Sequence, residues 1–183
     1  MTAPPRTATI DDLYRCEGKA ELINGRIVEI MASGRRPGKL SLRIARLLDD
    51  YASARGVGEA YGDGTGFAVS LLPSGRQSFA PDAAYFTGPF LANDMRFNEA
   101  PPDFAVEIRS ENDYGNAAEE EMADKREDYF QAGTLAVWDV DPIAETITVY
   151  RRAQPAVVFH RGQTADAEPA VPGWRITVDE VFA

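Results

Sequence analysis

Two carboxylates and one ammonium within residues 79–130 are of the types that hydrolytic chemistry needs: Asp82, Glu107 and Lys125. Asp82 follows Pro81 in the short strand-like run FAPDAAYF at 79–86. Glu107 lies in DFAVEIR, where Phe104, Val106 and Ile108 alternate with Asp103, Ala105, Glu107 and Arg109. That period of two predicts a strand with Glu107 and Arg109 on the face opposite the apolar row. After the loop SENDYG, Ala118, Met122, Lys125 and Tyr129 recur at helical spacing, which turns Lys125 toward the core. An acid on one strand, an acid plus a cation on the next and an inward lysine describe a metal-dependent hydrolytic site. Asp82 and Glu107, with the Ile108 carbonyl, would hold one hard divalent cation that polarises a phosphoryl oxygen and acidifies a water. Lys125 would orient that water or stabilise developing negative charge, with Arg109 a competitor for the second role.

Each of these residues also has a purely structural reading. Asp82 can end a strand or cap a turn. Glu107 can form a structural ion pair with Lys125 or Arg109. Lys125 can run its stem past Tyr129 and reach solvent. Tyr129 and Trp138 read as core aromatics, Ser110 as a partner of loop backbone, and His160 as structural rather than as a base.

The elements that must position the site read as a mixed α/β pattern. Residues 1–8 are expected to be a loose arm, and 9–183 one domain, large enough to bury its own core. Thr9 can cap a short helix, IDDLYRC. In AELINGRIVEI, Asn24-Gly25 between two β-prone runs predicts a hairpin. A two-residue turn puts Glu21 on a face with Ile23, Val28 and Ile30, where a carboxylate needs a cation, a metal or donors. A hairpin salt bridge to Arg26 or Lys19 would serve as well.

ASGRRPGK reads as a loop, followed by a helix from about Leu40 to Ala54 that buries Leu40, Ile44, Leu47, Leu48 and Tyr51. Lys39, Arg43 and Arg46 form a basic stripe beside that buried face. GVGEAYGDGTG reads as a connection, and its glycines lack the GKS or GKT ending of a phosphate loop. FAVSLL reads as a strand, 87–102 as loop, LAVWDV and ETITVYR as a hairpin about Asp141-Pro142, and PAVVFHR as a further strand. WRIT and a short VDEVFA helix close the chain. The order predicts a central sheet flanked by helices.

Composition narrows the chemistry further. One cysteine, Cys16, and one histidine, His160, cannot build a standard structural zinc set. A metal here would rest on carboxylate oxygens, which points to Mg²⁺, Mn²⁺ or Ca²⁺. The lone cysteine excludes an intrachain disulfide and fits a reducing cytoplasm. Neither a bilayer-length apolar run nor an apolar signal core is present in the sequence. The net charge of −10 argues against a general polyanion binder. Its distribution is uneven, however: residues 26–46 carry six basic side chains against Glu29, and 99–128 carry eleven acids against Arg109, Lys125 and Arg126. A basic edge beside an acidic pocket suits a metal enzyme acting on a phosphodiester, and suits an ordinary solvated surface too.

Taken in order, AELINGRIVEIMA, the basic helix, GTGFAV, APDAAYF, PDFAVEIRS, Lys125 with Tyr129 and AG, and VWDVDP with TVYR resemble the Uma-two-type restriction endonucleases of the PD-(D/E)XK nuclease superfamily. These pieces span nearly the whole chain from about Thr9. The resemblance implies a restriction-endonuclease-like fold, a Mg²⁺-dependent site in which Mn²⁺ can substitute, and endonuclease action on DNA, with a homodimer for cutting both strands. By the same resemblance, Asp82 is similar to the Asp of the Pro-Asp element and Glu107 to the acid of the (D/E)XK element. Arg109 stands where that pattern has lysine, Lys125 resembles a lysine displaced to the following helix, and Glu21 matches an acid near the site. Many relatives carry a histidine ahead of the basic helix, where this chain has Pro37 or Gly38. Two other classes remain open on the sequence: a non-catalytic nucleic-acid-binding or assembly module using Lys39, Arg43 and Arg46, and a dimerising domain in which the Glu/Lys cluster is only structural.

Overall fold

Thr9 caps the first helix, α1 (Ile10–Leu13), through a reciprocal capping box with Asp12, as its position before two acids predicts. The structure, a computed structural model, describes residues 7–183, so all but the last two residues of the expected arm lie outside the described residues. Of those two, Ala8 donates its N–H to the Gly25 carbonyl at 2.8 Å, tying the chain entry to the following hairpin.

That hairpin pairs β1 (Ala20–Ile23) with β2 (Arg26–Glu29), Glu21 opposite Val28 and Ile23 opposite Arg26. Asn24 and Gly25 both have positive φ, the geometry of a tight two-residue turn. Gly25 is required twice over, because a Cβ there would lie 2.2 Å from Thr7 Cγ2. The next helix, α2 (Arg35–Arg55), starts earlier than its periodicity suggests and absorbs most of the expected loop. Pro37 sits in its first turn, where a backbone N–H has no intrahelical acceptor to lose, so proline does not break it. Leu40, Ile44, Leu48 and Ala52 form its buried face.

The glycine-rich stretch is not only a connection, since it contains β3 (Glu59–Gly62), an edge strand. FAVSLL shrinks to β4 (Phe67–Ala68), paired with β5 (Ser78–Phe79). Then follow β6 (Ala83–Phe86), β7 (Phe104–Ile108), α3 (Asn116–Ala132), β8 (Ala136–Asp141) and β9 (Thr146–Arg151). Three short strands, β10 (Val157–Phe159), β11 (Thr164–Asp166) and β12 (Arg175–Thr177), lead into α4 (Val178–Phe182).

The main sheet has the order β10-β9-β8-β7-β6-β3. Its one parallel pair among the described strands is β7 with β8, because α3 carries the chain back across the sheet between them. This is the mixed, helix-flanked sheet that the sequence predicts. Alternation along the strands divides the core. Phe104, Val106 and Ile108 pack with Trp138, α2 and the C-terminal segment on one face. Ala105, Ala84, Phe86 and Val137 pack with Tyr129, Phe130, Phe67 and Phe79 on the other. Tyr129 stacks on Phe79 with ring centroids 4.0 Å apart, which seats α3 over that second face. Among the described residues, no helix is long and apolar enough to cross a membrane.

Candidate active site

The apolar stripe of β7 faces α2, so period two leaves Ala105, Glu107 and Arg109 pointing toward α3. Ala84 pairs with Ala105 and Ala83 with Val106, so continuing that register by one residue brings Asp82 beside Glu107 on the α3 side. Asp82 is fixed at this point by its backbone N–H to the Val106 carbonyl at 2.9 Å. Its Oδ2 accepts the Ile108 N–H at 2.8 Å, and its own carbonyl accepts the Ser41 hydroxyl at 2.6 Å. The Pro-Asp step is therefore the start of a sheet strand locked from both sides rather than a free turn cap.

Glu107 is bonded from α3. Lys125 Nζ lies 2.9 Å from its Oε2, and the Tyr129 hydroxyl donates to its Oε1 at 2.6 Å. Lys125 thus turns inward and does not run out to solvent. Tyr129, expected to be a core aromatic, is one and also positions the acid. Lys125 additionally lies 3.1 Å from Glu21 Oε1, so a single ammonium joins two carboxylates from different sheets. Burial raises the Glu107 carboxyl above the ordinary carboxylate range; Lys125 and the Tyr129 hydrogen bond oppose the rise, and the charges of Asp82 and Glu21 add to it.

Glu21 is 4% exposed, yet its apolar hairpin face is not a buried one: Val28 opposite it is 44% exposed, while Leu22 on the other face is fully buried. Neither Arg26 nor Lys19 pairs with it. Its partner is Arg76, which donates Nη1 to Glu21 Oε2 and Nε to Asp128 Oδ2 at 2.8 Å. Glu21 Oε1 also accepts the Ala80 N–H at 3.0 Å. Burial alone would raise the Glu21 carboxyl, but Lys125 and Arg76 outweigh it and bring it down to about 2. Sequence reasoning misses Arg76. It sits in PSGRQS, which reads as a turn, and its role depends on that segment docking along β1. The Asn24 N–H to Gly75 O bond (2.7 Å), the Gln77 N–H to Leu22 O bond (2.8 Å) and the Ile23–Arg76 bridge make that docking. The polar residue following a glycine turn is the faint signal.

Arg109 does not enter the cluster as a free cation. It makes a two-pronged pair with Asp139 of β8, Nε to Oδ1 at 2.8 Å and Nη2 to Oδ2 at 2.7 Å, and a second pair with Glu119 of α3. The Ser110 hydroxyl and N–H both donate to the Asp113 side chain, and the Ser110 carbonyl accepts the Asp113 N–H at 3.2 Å. His160 is exposed at the end of β10, away from this group. Trp138 is a core residue stacked on Trp174.

The cluster opens on one cleft of about 750 Å³. One wall is 29–34 with Pro37, at the entry to α2; the other is 107–113 with Ala118, Glu121 and Met122 of α3. Asp82, Glu107, Lys125, Glu21 and Arg109 all border it. Lys39, Arg43 and Arg46 do not border it. Lys39 and Arg46 are exposed on α2, and Arg43 is half-buried, donating to the Val181 carbonyl at 2.6 Å. The sequence-predicted basic stripe is thus two exposed cations and one anchor for α4.

Hard oxygen donors suit Mg²⁺ or Mn²⁺. Among the described residues no three His, Cys, Asp or Glu side chains are grouped to hold an ion by themselves. An ion on Asp82 and Glu107 would complete its shell from a carbonyl, water or phosphate oxygen. Glu29, Glu111, Asp113 and Glu121 add further negative charge around the cleft. The oxygen donor set fits a hard divalent ion.

A search of curated proteins finds no match. Among solved structures, the fold is similar to that described as a putative nuclease belonging to DUF820 from Anabaena variabilis ATCC 29413. The TM-score is 0.75 at 17% identity, over 97% of this chain and 98% of that one. At that identity the likeness concerns the fold. The family model described as "Putative restriction endonuclease" (Uma2) matches residues 9–179, every element from α1 to the first turn of α4, and the chain belongs to that family.

Proposed function

We propose that this protein is a metal-dependent endonuclease that hydrolyses phosphodiester bonds of DNA at the cleft between β7 and α3. The observation that carries this reading is the meeting of Asp82 and Glu107 on neighbouring strands, with Lys125 bonded to Glu107. In this reading Asp82 and Glu107 hold Mg²⁺, or Mn²⁺ in its place. When bound, the ion polarises the phosphoryl oxygen and lowers the pKa of a water. Lys125 stabilises the negative charge that develops at phosphorus, a role that suits an ammonium held among carboxylates and kept protonated by them. Tyr129 fixes the Glu107 rotamer, and Glu21, held by Arg76, keeps Lys125 aimed at the cleft. Arg109, committed to Asp139 and Glu119, orients the β7–α3 loop and leaves the charge-stabilising role to Lys125. One site per chain cuts one strand, so double-strand cleavage would use a homodimer.

The test is calorimetric titration of Mg²⁺ and Mn²⁺ into wild type and D82N/E107Q, with and without a short DNA duplex, followed by cleavage assays. Saturable binding that disappears in the double variant, and cleavage with it, is the expected outcome. Binding unchanged by the double variant would overturn Asp82 and Glu107 as the metal site, and none in the presence of duplex would overturn the reading in favour of a non-catalytic module. Sedimentation at working concentration checks the dimer.

A further inference from the structure

We propose that Lys19 is a tethered counter-cation of the metal site, competing with the divalent ion for Asp82 and retreating to Asp63 when the ion binds. The inference rests on the reading of Asp82 as a metal ligand. Lys19 lies two residues before Glu21 at the entry to β1, so both project to the same side of the hairpin. Its Nζ is 2.9 Å from Asp82 Oδ1 and 2.6 Å from Asp63 Oδ1. The Lys19 side chain is only 16% exposed and borders the cleft, so this is not a solvated surface pair.

The geometry makes the competition specific. Asp82 Oδ2 is committed to the Ile108 N–H, which leaves Oδ1 as the oxygen least constrained by backbone. That is the oxygen Lys19 holds. An ammonium is a compact charge on a flexible stem, able to shift between acceptors without moving backbone. Asp63, 38% exposed just beyond the end of β3, offers the second acceptor. A divalent ion on Asp82 therefore displaces Lys19 toward Asp63, and the energy of that exchange sets the ion's affinity. The consequence is a site tuned to bind its ion less tightly than its carboxylates alone would.

The two anchors predict effects of opposite sign. K19M removes the competitor and should tighten Mg²⁺ or Mn²⁺ binding on the order of tenfold. D63N removes the place to which Lys19 retreats and should weaken binding several-fold. In the K19M background D63N should change affinity by less than about twofold, because the competition it modulates is gone. K19Q serves as a second neutral variant if K19M folds poorly. Binding to K19M or K19Q no tighter than wild type, or a D63N effect equal in both backgrounds, overturns the inference. If wild-type binding survives D82N/E107Q, the metal-site reading itself fails. Binding that needs Asp82 yet ignores Lys19 removes this inference alone.

Discussion

Lys125 Nζ stands 2.9 Å from Glu107 Oε2, a contact across 18 residues that fastens α3 to the central strand and puts the ammonium at the cleft floor. Removing that charge separates chemistry from architecture. Under conditions where wild type cleaves DNA, K125M should lower the single-turnover cleavage rate by at least about a hundredfold, the usual scale for removing one preorganised electrostatic stabiliser. Metal binding, measured by calorimetry, should persist.

Asp82 holds both strand and site, and two substitutions split those roles. D82A leaves the buried Ile108 N–H without its acceptor and should lower unfolding free energy by about 1–3 kcal/mol in urea melts. D82N keeps an amide oxygen for that N–H, so it should retain most of the stability while losing metal affinity. Equal destabilisation by the two would contradict this geometry.

Arg76 is 7% exposed and bonds two buried carboxylates, Glu21 and Asp128. R76M leaves both without their guanidinium and should cost about 3–5 kcal/mol of stability by chemical denaturation, more than any surface arginine. Replacing Asp128 as well, in R76M/D128N, should recover part of that stability.

The Glu21 carboxyl is brought from an ordinary 4.5 down to about 2, so the folded state binds this proton less readily than the unfolded chain. The stability it contributes is fully present above about pH 4.5 and is lost as pH falls toward 2. E21Q should therefore be less stable at neutral pH and show a shallower fall through that window, as followed by denaturant melts at stepped pH.

The basic residues of α2 should divide into two kinds. K39A/R46A should weaken DNA binding uniformly across sequences and reduce its salt slope by about one for each phosphate left without its cation, measured by fluorescence anisotropy at several salt concentrations. R43A should instead lower thermal stability, because Arg43 anchors the Val181 carbonyl of α4.

What was legible in the sequence is what depends on neighbours along the chain. Period two in 103–109 placed Glu107 away from the apolar row, Asn24-Gly25 announced the hairpin, and helical spacing placed Lys125 and Tyr129 on one stripe. The start of α2 was not legible in ASGRRPGK, because a proline's cost to a helix depends on which turn it occupies, and Pro37 falls in the first. The glycines of 56–66 hid β3, whose strand character comes from pairing with β6 rather than from propensity.

The sequence by itself determined the residue types at the cleft and the faces on which Glu107 and Lys125 project, since side-chain direction follows local backbone periodicity. Only the tertiary structure decided their partners. Arg76 reaches Glu21 across 55 residues, Lys19 reaches Asp82 across 63, and Arg109 goes to Asp139 rather than Glu107. A charge pairs with whichever opposite charge folding brings near, and that distance is set by sheet order and loop docking, which no local pattern encodes.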